Sequence, residues 1–137
     1  MLTVHASAVA WDGRAVLITG ASGSGKSTLA LQLLAYGCRL IADDATILQS
    51  DKGQLIASCP PALSGLIEAR GTGLLNVQNL SRAPVTLCIT LDQIETERLP
   101  PWRTVTYLGL SLPLLHKVET GHFAAAVLQY VKLGRRS

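Results

Sequence analysis

The sequence predicts an α/β fold: a mixed β-sheet flanked by helices and built around a phosphate-binding loop. Three observations predict it. The segment GASGSGKS, Gly20 to Ser27, fits G-x-x-x-x-G-K-[ST] and stands between a short apolar run and a helical pattern. Strand-like runs come in close pairs as well as around helices, which a fully parallel sheet would not give. Hydrophobic residues make up 48% of the 137 and charged residues 15%, the balance of a compact aliphatic core and not of a disordered chain.

Leu2 to Trp11 is small and apolar with loose alternation, and reads as a strand. Trp11-Asp12-Gly13-Arg14 is a hairpin turn into Ala15 to Ile18 (AVLI), a short buried strand. STLALQLLAYG then reads as a helix, with Leu29, Leu33 and Tyr36 on one face and Gly37 as its C-cap. Arg39 to Ala42 (RLIA) is another buried strand, closed by Asp43 and Asp44. Thr46 to Leu48 and Gln54 to Ala57 form a hairpin about Asp51-Lys52-Gly53. Pro60-Pro61 starts a new unit, in which Leu63 to Ala69 is expected as a short helix ended by Gly71. Leu74 to Val77 is short and apolar. Val85 to Leu91 (VTLCITL) is a buried strand rich in β-branched residues. Pro100-Pro101 breaks the chain, Tyr107 to Leu110 leads into Pro113, and Phe123 to Leu133 is a closing helix.

The length fits a single domain spanning residues 1–137. A net charge of +3, part of it in the basic end Lys132, Arg135 and Arg136, is too weak to argue for a nucleic-acid partner. Cys38, Cys59 and Cys88 are odd in number and widely spaced, so neither a zinc site nor a disulfide framework is expected. They read as reduced core thiols in the cytoplasm. MLTVHASAVAWDG has no basic n-region, and no apolar run is long enough to span a bilayer, so neither a signal peptide nor a membrane partner is expected.

The loop's chemistry follows from its residues. Gly20, Gly23 and Gly25 let the backbone wrap so that amides point inward, with Ala21, Ser22 and Ser24 between them. Lys26 brings a point charge to the outer phosphates of a nucleotide, the Ser27 hydroxyl can ligate Mg²⁺, and Thr28 continues into a helix whose positive end faces the anion. ATP and Mg²⁺ are therefore the expected ligands. Asp43 and Asp44 end a strand that should face the same crevice. A carboxylate there can hold the metal or accept a proton from an attacking hydroxyl. Side chains adjacent on an extended chain point opposite ways, so one can face the phosphates while the other turns to the surface or caps a turn. In IEARGTGLLN, Ile67 to Asn76, Glu68 and Arg70 stand just before two glycines. A Glu can complete a metal shell, and an Arg can neutralise charge in a transition state.

HASAVAWDGRAVLITGASGSGKSTLALQLLAYGCRLIADD followed by IEARGTGLLNV resembles HPr kinase/phosphorylase from His5 to about Leu112. Members of this family phosphorylate a serine of HPr, a small phosphocarrier protein, and many remove that phosphate by phosphorolysis. The resemblance implies a nucleotide core similar to that of phosphoenolpyruvate carboxykinase. It implies Asp44 as proton acceptor, with Asp43 as its supporting neighbour. It implies His5 and Arg98 in the active centre, Lys26 on the phosphates, Ser27 and Glu68 on Mg²⁺, and Arg70 in the family's signature segment. Without the resemblance, His5 reads as a strand residue and Arg98 as a solvated loop charge. The family's hexamers imply a homo-oligomer.

The sequence departs from the family in three places. It begins just before the catalytic core, as a short form would. Thr28 stands where an acidic residue is frequent. In His116 to Ala125, Gly121 is kept but His122 replaces an arginine of the segment tied to dephosphorylation. Kinase activity is therefore expected and phosphorolysis is left open. The competing readings are a small-molecule P-loop kinase, for which there is no Arg-rich lid, and a non-catalytic nucleotide-binding regulatory module. No N-K-x-D or LSGGQ-like segment points to a GTPase or an ABC-type ATPase.

Overall fold

A computed structural model describes residues 1–137. Its elements are β1 (Leu2–Val4), β2 (Ala6–Trp11), β3 (Arg14–Thr19), α1 (Lys26–Ala35), β4 (Arg39–Ala42), β5 (Thr46–Asp51), β6 (Gln54–Ser58), a 3₁₀ turn (Pro61–Leu63), β7 (Leu66–Ala69), β8 (Gly73–Asn76), β9 (Arg82–Ile94), β10 (Arg103–Tyr107), β11 (Leu110–Lys117) and α2 (Phe123–Leu133). The main sheet runs β1-β5-β6-β9-β3-β2-β4, with the β10–β11 hairpin joined to β9 through β11. It is mixed, as expected: β3 and β11 pair parallel with β9, and the remaining pairs are antiparallel. β7 and β8 form a separate two-stranded hairpin.

Long strand β9 organises the sheet. Its start pairs with β6, its middle with β3, and its later residues with β11. Alternation along the strands sorts the core into two faces. Val16, Ile18, Leu87 and Ile89 face α1 and α2, packing on Leu29, Leu33, Phe123 and Val127. Ala15, Leu17 and Cys88 face the other way, onto Leu48, Leu55 and Ile41, with Leu112 and Leu114 packed against them.

Three hairpins share one turn chemistry. Asp12-Gly13, Lys52-Gly53 and Leu108-Gly109 each link paired strands through two residues of positive φ. That is the type I′ arrangement, whose twist matches the strands. The first two were expected from their residues. The third was not, because Leu is a poor residue for φ of 50° and hides the signal.

Several expectations need correction. The Leu2 to Trp11 strand is two strands with different partners, since β1 pairs with β5 and β2 with β3 and β4. Leu63 to Ala69 is not a helix. Only the turn Pro61–Leu63 is helical, and Leu66–Ala69 pairs with Gly73–Asn76, burying Ile67 on the core. Pairing across the Gly71-Thr72-Gly73 turn outweighed an apolar spacing that suited either state. Tyr36 does not share the buried face of Leu29 and Leu33; it is 50% exposed and caps α1, with Gly37 one residue beyond at φ 104°. Gly37 still stops the helix by taking a conformation that other residues resist. Tyr107 to Pro113 belongs to a full hairpin, with Pro113 inside β11.

All three cysteines are free. Burial pushes the Cys88 thiol up to about 12 and the Cys38 thiol up to about 11, and raises Cys59 as well. No helix is long and apolar enough to cross a membrane.

Candidate functional site

A cleft of about 510 Å³ opens at the N-terminal end of α1. Ser22, Gly23, Gly25, Lys26, Ser27 and Thr28 form one wall, Asp43 and Asp44 a second, and Glu68, Ala69, Arg70 and Thr72 a third. Three separate sequence motifs therefore meet in one place. The topology explains how. Parallel β3 delivers the glycine loop at the same sheet end as the C-terminus of β9. Antiparallel β2 lies between β3 and β4, so its start, with His5 before it, and the end of β4 stand at that end too. The aspartates thus lie two strands away from the loop strand, not on its immediate neighbour.

The glycine loop is built to take an anion. Gly23 and Gly25 have φ of 82° and 107°. The first intrahelical bond of α1 is Leu29 N–H to Gly25 O, 2.9 Å, so the amides before it have no intrahelical partner. No side chain caps this terminus and no acidic residue stands in its first turn. No residue of the helix itself offsets its positive end. Gly20 has a steric reason as well: a Cβ there would lie 2.5 Å from Ser24 Oγ. Ser24 Oγ is buried without a hydrogen-bond partner.

Lys26 is 5% exposed and its three donors are matched. Nζ donates to Gly20 O at 2.8 Å and Ala21 O at 3.1 Å, and lies 3.2 Å from His5 Nε2. Because an ammonium can only donate, Nε2 is the acceptor, and the proton of the neutral imidazole sits on Nδ1. Nδ1 is 3.3 Å from Asp44 Oδ1. Ser22 Oγ is a further neighbour of Nε2, at 3.4 Å. His5 therefore links Asp44 to Lys26.

The two aspartates differ in environment. Asp43 Oδ1 accepts from Ser27 Oγ at 2.8 Å and from Ser7 Oγ at 2.9 Å, and Oδ2 accepts the Glu68 N–H at 3.4 Å. One carboxylate thus ties α1, β2 and β7 together. Ser7 is fully buried, and its oxygen also accepts the Asp44 N–H at 3.3 Å. Asp44 has φ of 67° and is bracketed by an Ala45 N–H to Asp43 O bond of 2.8 Å. A three-residue turn with positive φ at its centre is rare and strained. The strain turns Asp44 so that both carboxylates line the cleft, Asp44 with a side chain 69% exposed at the mouth. Asp43 is thus tied inward while Asp44 turns to the surface, yet both stay on the cleft wall.

Ser27, Asp43 and Glu68 line the same cleft, and their side chains carry oxygen atoms of the kind that Mg²⁺ takes. Arg98 is not among the lining residues. It stands exposed in the loop between β9 and β10. Sequence reasoning missed Ser7, Asp92 and Lys117. Asp92 Oδ1 accepts the Ala21 N–H at 2.9 Å, and Lys117 Nζ donates to Ser24 O at 3.3 Å. Ser7 carried a weak signal, a small polar residue in an apolar strand; the other two carried none.

The family model described as HPr Serine kinase C-terminal domain matches residues 1–100. Among curated relatives, the HPr kinase/phosphorylase of Clostridium tetani is 46% identical over 77 residues, 56% of this chain and 25% of that protein. That of Bacillus cereus is 43% identical over 97 residues, 65% of this chain and 31% of that protein. The chain thus aligns with a quarter to a third of the length of these relatives. The solved Hpr(Ser) kinase/phosphatase from Coxiella burnetii superposes with a TM-score of 0.81 and 29% identity, covering 96% of this chain and 95% of that one. The chain belongs to the HPr serine kinase C-terminal domain family.

Proposed function

We propose, from that membership and the geometry of the cleft, that the chain transfers the terminal phosphoryl group of ATP to a serine of an HPr-type phosphocarrier protein. The observation that carries the reading is the convergence of the loop residues Lys26 and Ser27, the pair Asp43–Asp44 and the segment Glu68–Arg70 on one cleft. A glycine loop alone would support nucleotide binding only. A strained, exposed carboxylate across from it adds a group able to take a proton.

The residues have distinct parts in this mechanism. The loop amides hold the nucleotide's phosphates and the Lys26 charge neutralises them, with Nζ exchanging one of its partners Gly20 O, Ala21 O or His5 Nε2 for a phosphate oxygen when the nucleotide binds. Ser27, Asp43 and Glu68 would hold Mg²⁺, which when bound supplies charge neutralisation across the transferring phosphate. Asp44 orients the incoming serine hydroxyl and accepts its proton as the new O–P bond forms and the bond to the ADP oxygen breaks. His5 fixes Asp44 through Nδ1 and Lys26 through Nε2, so base and phosphate ligand keep one spacing. Arg70, on the cleft wall, stabilises charge on the moving group. Arg98 acts from the neighbouring loop once the protein substrate is seated. The core is of the phosphoenolpyruvate carboxykinase-like kind, residues 1–137 act as one catalytic domain, and the chain works in the cytoplasm as an oligomer of its own copies. The forward reaction is the one proposed; phosphorolysis, which would run the same site backwards with inorganic phosphate, is left open because His122 stands where the family's C-terminal segment carries an arginine.

The deciding experiment incubates the chain with γ-labelled ATP, Mg²⁺ and the HPr-type protein of its own organism, followed by mass spectrometry. Phosphoserine on that protein is the expected product. Nucleotide binding without transfer would favour the regulatory module, and adding inorganic phosphate to the phosphorylated product tests the reverse reaction.

A further inference from the structure

The glycine loop is also gripped from the side away from the cleft. β11 pairs with β9 in register from Leu114↔Cys88 to His116↔Thr90, and then jumps to Lys117↔Ile94. Leu91, Asp92 and Gln93 are therefore a bulged segment of β9. Bulges re-aim side chains, and this one aims them at the loop. A Cβ on Gly20 would lie 3.2 Å from Leu91 Cβ, so Leu91 packs against the loop's first residue. Asp92 Oδ1 accepts the Ala21 N–H at 2.9 Å. On the facing strand, Lys117 Nζ donates to Ser24 O at 3.3 Å, while the Lys117 carbonyl accepts the Glu95 N–H at 2.8 Å. Asp92, Lys117 and Ser24 do not line the cleft.

We propose that Asp92 and Lys117 are positioning residues that clasp the phosphate loop from behind and hold it in its anion-receptive shape. This rests on the reading of that loop as a nucleotide site. A carboxylate draws on an amide at the start of the loop, and an ammonium draws on a carbonyl at its apex. The two pulls fix the orientation of the peptide groups between them. With the Ser24 carbonyl held toward β11, it is kept from turning its negative end on the bound phosphates. A loop left to order itself would give up binding free energy on every encounter. The clasp also makes the C-terminal strand part of the nucleotide site, although β11 contributes nothing to the cleft wall.

Two measurements on the full chain test this. Hydrogen exchange in the nucleotide-free chain reads the clasp itself, and titration calorimetry with Mg-ATP and Mg-ADP reads its use. In Asp92→Ala and Lys117→Met, exchange at the Ala21 to Gly25 amides should quicken while α2 exchanges as before. Both nucleotides should bind about tenfold more weakly, the loss expected for one charge-assisted hydrogen bond. Lys117→Arg should restore most of the affinity, and the double variant should lose less than the sum because both residues act on one loop. Unchanged exchange in both variants overturns the clasp whether or not nucleotide binds. A loss confined to ATP overturns positioning, since it would mean direct contact with the terminal phosphate. Failure of the unaltered chain to bind either nucleotide, with exchange as expected, would sink the nucleotide reading and leave a structural clasp only.

Discussion

The glycine loop has two banks, and they are built by different means. On the helix bank stand Ser27, Asp43, Asp44, Glu68 and Arg70, each inside a short motif and each on the cleft wall. On the sheet bank stand Leu91, Asp92 and Lys117, single residues on two strands, none of which lines the cleft. Reacting groups must meet a ligand at fixed spacing, and a motif fixes spacing locally. Supporting groups need only arrive, and strand register delivers them from 71 to 93 residues away. The sharpest test of this division is Asp44→Asn. The loss of a positioned base should slow phosphoryl transfer by about 10²–10⁴-fold, with nucleotide affinity retained. Equal loss of both would move Asp44 from chemistry to support.

Leu91→Ala strikes the other bank. Leu91 is 7% exposed, within the core that faces α1, and meets the loop at Gly20 and Gly25. Its truncation should destabilise the chain by about 2–5 kcal/mol, as for other buried leucines cut to alanine. A shift of the urea midpoint at constant slope would register this. Transfer by the fraction still folded should fall far less than in Asp44→Asn. If it falls as far, the banks are not separable. Lys26→Ala comes next and touches both properties, because Lys26 holds Gly20 O and Ala21 O and is the residue proposed to neutralise the phosphates. Nucleotide binding should weaken by roughly 1.5–3 kcal/mol, the range for a hydrogen bond to a charged group. Unchanged affinity would mean that Lys26 serves only the loop's shape.

The same division explains what could be read from the chain alone. β4 at Arg39–Ala42 and α2 at Phe123–Leu133 were legible because each is a continuous apolar pattern closed by its own stop signals. The loop and the aspartate pair were legible because their spacing is local. β7–β8 was not, since LSGLIEA offers a helix and a strand equally and only the partner strand decides. β10–β11 was hidden by Leu at a turn position and by Pro113 inside the strand. His5 read as an ordinary strand residue until a resemblance raised it. The structure now gives it Lys26 on one ring nitrogen and Asp44 on the other. Lys117 could not have been found. Its meaning lies in a register jump opposite Leu91 to Gln93, which no pattern of residue types announces.

The smallest expected effect lies just beyond the sheet bank, where the loop after β9 is stapled by charge. Arg103 Nε and Nη2 donate to Glu95 Oε1 and Oε2, both at 3.1 Å, and the Thr96 and Glu97 amides donate to the same carboxylate. The Arg103 hydrogen bonds hold the Glu95 carboxyl below its ordinary value of 4.5. A carboxyl depressed in the folded chain contributes stability above its unfolded value, and that contribution is lost as pH falls below it. Glu95→Gln should therefore differ from the unaltered chain at pH 7 and progressively less as pH drops through 4.5 and beyond. The difference should be modest, because Gln keeps the shape of the side chain and an oxygen that can still accept from Arg103, itself part-exposed and screened by salt. Urea midpoints for both chains across that range check the sign. A gap that widens on acidification would show that Glu95 is held by something other than Arg103. Transfer activity at pH 7 sharpens the contrast between the banks. Glu95 N–H also bonds the Lys117 carbonyl through its backbone, which Gln preserves, so the side-chain change should leave the clasp and the nucleotide affinity intact.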